Sequence, residues 1–225
     1  LKNVSVALQM PLDSMSLNAR LGEAEIDDAT ADLGRQAYGF RQFQLSGTSV
    51  NYDTGIRLGN ALNSLIDTGS LSNPDSTSVT PAPGFDASHI ALRDIRVSID
   101  SVLYAGHDIN AVIREFSMNE RSGLSITSLT GRVFADSTVI QVPFLKLLTP
   151  QSEMDFTAQT YWELVDIPTT GRLTARFNAR IGKQDVMLFA GDLPETFKEA
   201  YPFRPLVIRA GTECNLKQMQ ISRFN

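Results

Sequence analysis

The segment RLTARFNARIG, residues 172–182, alternates polar and apolar side chains without a break. Successive side chains of a β-strand point to opposite faces, so this pattern predicts one apolar face and one hydrated face. One-sided strands are typical of antiparallel sheets, whereas strands of parallel sheets are usually buried on both faces. The apolar positions of the segment are Leu173, Ala175, Phe177, Ala179 and Ile181.

The same alternation recurs along the chain and predicts a mainly β protein. In residues 89–100 the apolar positions change from even to odd numbers. Because a one-residue slip turns every side chain to the other face, we predict a β-bulge near Arg93 and Asp94. Further strands are predicted at Ile109–Ile113, Leu124–Leu129, Val139–Leu147, Met154–Ala158 and Leu206–Ala210.

The pattern divides the chain into two strand-rich units, residues 1–55 and 87–225. Between them, residues 56–86 combine a short amphipathic helix with a Pro- and Ser-rich linker. Helical spacing near residues 183–201 predicts one or two short helices inside the second unit. The two units share a weak repeat, because IDDA at 26–29 and FRQFQL at 40–45 match IDSV and IREFSM 73 positions later.

Composition and charge narrow the range of partners. The net charge of −5 and the scattered basic residues argue against nucleic-acid binding, which needs clustered Lys and Arg. The single cysteine, Cys214, excludes an intrachain disulfide. No stretch approaches the ~20 apolar residues that span a bilayer, and no signal peptide opens the chain. Because the chain begins and ends within strand-like sequence, we expect it to be a fragment of a longer protein.

The sequence contains no recognisable catalytic or metal-binding motif. His89 and His107 have no catalytic partner at a known spacing. Carboxylates at 27–28, Asp100 and Asp136 could act as a pair in glycoside hydrolysis, but Asp at strand ends commonly forms turns. We therefore expect a protein that is not an enzyme and that uses no cofactor or metal.

Two architectures are compatible with the alternation. In a β-sandwich the apolar faces of two sheets bury each other, and in a curved sheet one apolar face stays partly open. The pattern alone favours the sandwich. A carbohydrate-binding or adhesive sandwich could use the adjacent aromatic residues Tyr161 and Trp162.

Three segments carry a resemblance to a known family: GFDASHIALRDIRVSIDSVLY at 84–104, SGLSITSLTGRVFADSTVIQVPFLKLLTPQSEMDF at 122–156 and GKQDVMLFAGDLPETFKEAYP at 182–202. They resemble the TamB/AsmA-like envelope proteins, in the version carried by Bacteroidetes. The resemblance covers roughly residues 85–224, and the first 55 residues share only the strand pattern. It implies a β-groove of antiparallel strands, folded like a taco with an apolar interior, and so reverses the preference for a sandwich.

The resemblance also implies a function and a location. Such proteins are bridge-like carriers that move phospholipid between the inner and outer membranes, so the chain would be a periplasmic segment of an inner-membrane-anchored protein. The implied partners are phospholipid acyl chains and an outer-membrane β-barrel protein of the Omp85 type. A second interpretation is a scaffold that helps outer-membrane proteins assemble by strand pairing. The residues expected to face lipid are the five of 173–181, together with Val97, Ile99, Leu124, Ile126, Val142 and Phe144.

Overall fold

The computed structural model describes residues 1–10, 15–54, 84–167, 171–189, 195–214 and 219–224. These residues form thirteen strands and three short helices. The strands are β1 Lys2–Met10, β2 Met15–Asp27, β3 Thr30–Asp32, β4 Ala37–Thr54, β5 His89–Ala105, β6 Asp108–Glu120, β7 Ser125–Ile126, β8 Ser128–Ala135, β9 Val139–Leu148, β10 Glu153–Tyr161, β11 Leu173–Ile181, β12 Leu206–Cys214 and β13 Met219–Phe224. The helices are α1 Trp162–Asp166, α2 Lys183–Phe189 and α3 Glu195–Ala200.

All thirteen strands belong to one antiparallel sheet. Its order is β1-β2-β4-β5-β6-β8-β9-β10-β11-β12-β13, with β3 beside β4 and β7 beside β6. Within the described residues β1 and β13 do not pair with each other, so the sheet is open rather than closed. The mainly β, curved-groove prediction is therefore confirmed, and the sandwich with two facing sheets is not the architecture of the described chain.

The two strand-rich units form one continuous sheet, because β4 pairs with β5 from Ala37–Ala105 to Asp53–His89. Most of the helix-plus-linker region predicted at 56–86 lies outside the described residues. The helices predicted near 183–201 are present as α2 and α3. The sequence pattern missed α1, which directly follows β10.

Two rows of bends cross the long strands of the first half. In the first row Asn3, Gly47 and Asp94 have positive φ angles of 53°, 59° and 54°. Gly22 lies between Asn3 and Gly47 in the register of β1, β2 and β4. The pairing of β5 with β6 also shifts between Arg93 and Arg96, which confirms the predicted bulge.

In the second row Asp28 and Ser101 have φ angles of 50° and 54°. The register aligns both residues with Arg41 of β4. Phe40 and Phe43 are three residues apart, which would place them on opposite faces of a regular strand, yet their ring centroids are 6.2 Å apart. The second bend therefore keeps apolar side chains on one face, as a bulge can.

The second row of bends carries the same ion pair in both halves of the weak repeat. Arg41 binds Asp28 at 2.7 Å and Asp27 at 3.3 Å, and Arg114 binds Asp100 at 2.6 Å. The offset of 73 residues carries Asp27 to Asp100 and Arg41 to Arg114. These carboxylates form ion pairs with arginines at a bend, which gives their recurrence a structural reason.

The sheet has little conventional core. Among the described residues no large side chain is fully buried, and the buried apolar residues are Ala91, Ile95, Ala135, Ala175, Ala179 and Tyr201. A packed sandwich would bury large side chains from two facing sheets. The strand ladder and half-exposed cross-strand pairs therefore hold this fold together.

We predict that Gly22→Ala destabilises the fold. A Cβ at Gly22 would lie 2.6 Å from the carbonyl oxygens of both Ser46 and Gly47, and backbone atoms cannot move aside cheaply. The expected loss is about 1–3 kcal/mol in the free energy of unfolding, measured by denaturant titration. In the control Gly34→Ala the nearest atom is a side-chain oxygen of Asp32 at 3.4 Å, so stability should change by less than about 0.5 kcal/mol. Equal stability of both variants would contradict the close approach at the bend.

Candidate functional site

A row of apolar residues runs across nine neighbouring strands, perpendicular to the strand direction. Directly opposed residues of an antiparallel pair share a face, so the register alone places all of them together. Eight steps of about 4.8 Å give the row a length of about 38 Å along the sheet. From β2 to β12 this apolar row consists of Ile26, Phe43, Ile99, Ile113, Gly131, Leu145, Phe156, Phe177 and Ala210.

A second, shorter row lies beside the first on the same face. It contains Leu129, Leu147, Met154, Ala179 and Ile208 of β8 to β12. The one glycine of the long row makes room for its neighbour, since a Cβ on Gly131 would lie 2.6 Å from a methyl carbon of Leu145. Together the two rows make an apolar face several side chains wide.

The structure brings most of the expected lipid-facing residues onto this apolar face. Leu173, Ala175, Phe177, Ala179 and Ile181 share one side of β11, with the two alanines buried and the larger side chains half-buried. On β5, Val97 pairs with Leu45 and Phe116, and Ile99 pairs with Phe43 and Ile113. Val142 lies opposite Ala158, and Leu124 and Ile126 line a cavity at one end of the face.

Phe144 does not lie on the apolar face, contrary to the expectation from its spacing to Val142. It pairs with Arg132, whereas the adjacent Leu145 pairs with Gly131 of the apolar row. The cause is a bulge, because Pro143 and Phe144 together lie opposite the single residue Thr157. Phe144 is 47% exposed on the other side of the sheet.

The opposite face is polar and rich in ion pairs. Lys146 binds Glu153 at 2.5 Å, and Arg172 binds Glu213 at 2.8 Å. The hydrogen bond to Glu153 raises the pKa of Lys146, and the same bond lowers the pKa of Glu153. Exposed pairs of this kind contribute little stability, so their main effect is to keep this face hydrated.

Helix α2 covers one end of the apolar face and leaves a cavity of about 510 Å³ beneath it. Its sheet side is formed by Leu147, Met154 and Ile181, and its helix side by Val186 and Phe189. The remaining lining residues are Leu124, Ile126, Thr149, Ser152 and Asp185. The sequence predicted Ile181, Leu124 and Ile126 among the lining residues, but it did not identify the others. For Val186 and Phe189 the local signal is their i, i+3 spacing.

Polar contacts fasten the start of α2 to the β9–β10 turn. The Gly182 N–H donates to Ser152 Oγ at 2.9 Å. Gln151 and Gln184 exchange two hydrogen bonds, of 2.9 and 3.2 Å. The hydroxyls of Thr149 and Ser152 both donate to Asp185 Oδ2. The helix is therefore fixed in place over the sheet.

The residues considered for catalysis have structural partners. Asp136 accepts the N–H groups of Thr138 and Val139, which lower the pKa of its carboxyl, so it is a turn residue. His89 contacts Asp86 at 2.8 Å. The His107 ring packs edge-on against Trp162, whose indole N–H donates to the Asp136 carbonyl.

The described part of the chain contains no cluster of three or more His, Cys, Asp or Glu that could hold a metal ion. None of its described helices is long and apolar enough to cross a membrane. Comparison with protein-family models, curated proteins and solved structures finds no match for this chain. The apolar face and the cavity under α2 are the features of the described chain that bear on its function.

The turn that presents Leu124 to the cavity depends on a buried carboxylate, Glu120, which is 7% exposed. Its two oxygens accept the N–H groups of Ala91 at 3.1 Å and Ser122 at 2.5 Å. Burial raises the pKa of Glu120, but the hydrogen bonds outweigh burial and leave the pKa below its usual value. Because the pKa is lower in the folded state, Glu120 stabilises the fold at pH values above its unfolded pKa of about 4.3. This stabilisation is lost as pH falls through the folded pKa.

We predict that Glu120→Gln lowers the free energy of unfolding at pH 7 by about 1–3 kcal/mol. The NH₂ group of the glutamine would face one of the two backbone N–H donors, which would then lose its acceptor. Denaturant titrations at pH 7 and pH 3 measure the effect. The difference from the wild type should shrink toward pH 3, as pH falls through the folded pKa of the wild-type carboxyl. Glu115→Gln, at an exposed position of the same strand, is the control and should match the wild type. A difference between wild type and Glu120→Gln that stays constant with pH would contradict this role.

Proposed function

We propose that the chain is a non-catalytic segment of a TamB-like envelope protein whose apolar groove carries phospholipid between membranes. The observation that carries the proposal is the apolar row, which continues over nine strands without a polar side chain. Its length of about 38 Å exceeds the ~30 Å hydrocarbon thickness of a bilayer. An apolar row of this length could pass acyl groups from strand to strand.

The free energy of burying an acyl chain on the apolar face suits a lipid carrier. Burial of hydrocarbon against such a surface contributes about 0.8 kcal/mol per CH₂ group, which replaces what the acyl chain loses on leaving a bilayer. The long row offers no charged or hydrogen-bonding side chain, so no position holds the lipid more strongly than its neighbours. The polar headgroup would remain in water at the mouth of the groove.

The bends of the long strands support a groove that runs across the strands. The residues with positive φ lie in two rows across the sheet: Gly47 and Asp94 lie close together in the first row, and Asp28 and Ser101 flank Arg41 in the second. Aligned bends fold a sheet along a line perpendicular to its strands. The apolar row runs in that same direction, so a lipid would slide from strand to strand rather than along one strand.

The envelope setting of the proposal rests on the sequence resemblance. It supplies the periplasmic location, the inner-membrane anchor outside this chain, the phospholipid cargo and a barrel partner of the Omp85 type. The apolar face supports a hydrocarbon ligand but not one particular headgroup. The polar opposite face, with its ion pairs, supports contact with water rather than with a bilayer interior.

A second candidate function is a scaffold that pairs with strands of outer-membrane proteins. The observation in its favour is β1, which among the described strands pairs only with β2. Val6 and Leu8 of β1 are 48% and 46% exposed. An exposed edge of this kind can accept another strand. Substitution of Val6 by Pro should impair barrel assembly but not lipid binding if this second function holds.

The third interpretation, a carbohydrate-binding or adhesive sandwich, has less support. It requires two facing sheets with a closed core, and the described strands form one sheet. It also requires a free aromatic platform, whereas Trp162 packs against His107 and donates to the Asp136 carbonyl.

We predict that a photoreactive benzoyl-phenylalanine at Phe177 captures phospholipid and that the same group at Arg176 does not. The two positions are adjacent on β11 but point to opposite faces. The purified chain is irradiated with vesicles of radiolabelled phosphatidylethanolamine, and the label bound to protein is counted. At least fivefold more label is expected at position 177. Equal capture at both positions would contradict the proposed use of the apolar face.

A further inference from the structure

The cavity under α2 differs from the rest of the apolar face because a helix partly covers it. Leu147, Met154 and Ile181 form its sheet side, and Val186 and Phe189 of α2 cover it. Its volume of about 510 Å³ lies within the ~300–1,000 Å³ range of small-molecule sites. The open face beyond the cavity has no comparable cover in the described residues.

Contacts hold the covering helix in place at both of its ends. The β9–β10 turn fastens the start of α2 through Gly182, Gln184 and Asp185. At the other end the Phe85 N–H donates to the Leu188 carbonyl at 2.7 Å. The ring centroids of Phe85 and Phe189 are 5.4 Å apart. An apolar space kept open in this way costs stability unless something fills it.

The chemistry of the lining disfavours water as the occupant. Its polar groups are Thr149, Ser152 and Asp185, and these bind one another, since both hydroxyls donate to the carboxylate. A buried water needs two to four polar partners, and an apolar cavity without them stays dry. The space therefore suits hydrocarbon.

We propose that the cavity under α2 is a discrete binding site for the methyl end of one hydrocarbon chain. The inference rests on the proposed lipid-carrying function and deepens it. The cavity would be one defined resting position beside an apolar face that binds acyl chains equally along its length. The polar side chains of the lining bind one another, so a charged or zwitterionic headgroup would lose its hydration in the cavity without gaining a partner. The chain therefore enters with its methyl end first and leaves its headgroup outside.

The test uses a lysophosphatidylcholine whose acyl chain ends in a photoreactive diazirine. The purified chain is mixed with this probe and irradiated, and the labelled tryptic peptides are identified by mass spectrometry. We expect label on peptide 184–198, which begins within α2, and on the peptide that contains Met154. Met154→Trp fills the cavity, so it should lower the label on peptide 184–198 at least fivefold. Phe144→Trp, on the opposite face, is the matched control and should leave that label unchanged.

Val186→Trp fills the cavity from the helix side, and it keeps the test valid should Met154→Trp fail to fold, as judged by circular dichroism. Label on peptide 184–198 that a folded filling variant does not reduce would overturn the cavity site. Lipid capture at Phe177 without any label on peptide 184–198 would also overturn it, while leaving the proposed groove intact. Label in the cavity without capture at Phe177 would support the cavity site and overturn the groove.

Discussion

The alignment of bends between neighbouring strands is the constraint on which the rest of this fold depends. A strand that bends alone would break its ladder, and Gly22 of β2 leaves room for the Ser46 and Gly47 carbonyls where Gly47 of β4 has a φ of 59°. At the second row, Asp28 and Ser101 align with Arg41, and an arginine–aspartate pair recurs there 73 residues later. These bends let one sheet keep a single apolar face without a second sheet to cover it.

An uncovered apolar face needs support from features other than a core. Within the described residues, polar contacts on the opposite face and the short helices supply it. Trp162 joins the end of β10 to the β8–β9 turn through the Asp136 carbonyl. Helix α2 joins the β9–β10 turn to Phe85, which precedes β5. Helix α2 thus connects parts of the sheet that are not adjacent, and it also creates the partly covered cavity.

The sequence predicted the features that depend on local alternation. The facing of β11 and the bulge at Asp94 are confirmed, since a parity change records a bulge directly. Phe144 was placed wrongly because Pro143 and Phe144 form a bulge inside a mostly apolar segment, where only the odd separation of Gln141 and Lys146 records the change of face. The cavity could not be predicted, because Val186 and Leu147 are far apart in sequence and meet only through the β9–β10 turn. The apolar row likewise depends on registers that no single strand encodes.

The central claim is that the apolar row holds hydrocarbon chains, and bound phospholipid per protein chain tests it most directly. The measurement is quantitative mass spectrometry of lipid extracted from the purified chain after incubation with phospholipid vesicles. The account predicts at least one bound phospholipid for the wild type and for Asn178→Asp, which lies on the polar face of β11. It predicts loss of that lipid in Phe177→Asp, which places a charge in the middle of the row. Equal lipid content in both variants, or no lipid in the wild type, would contradict the account.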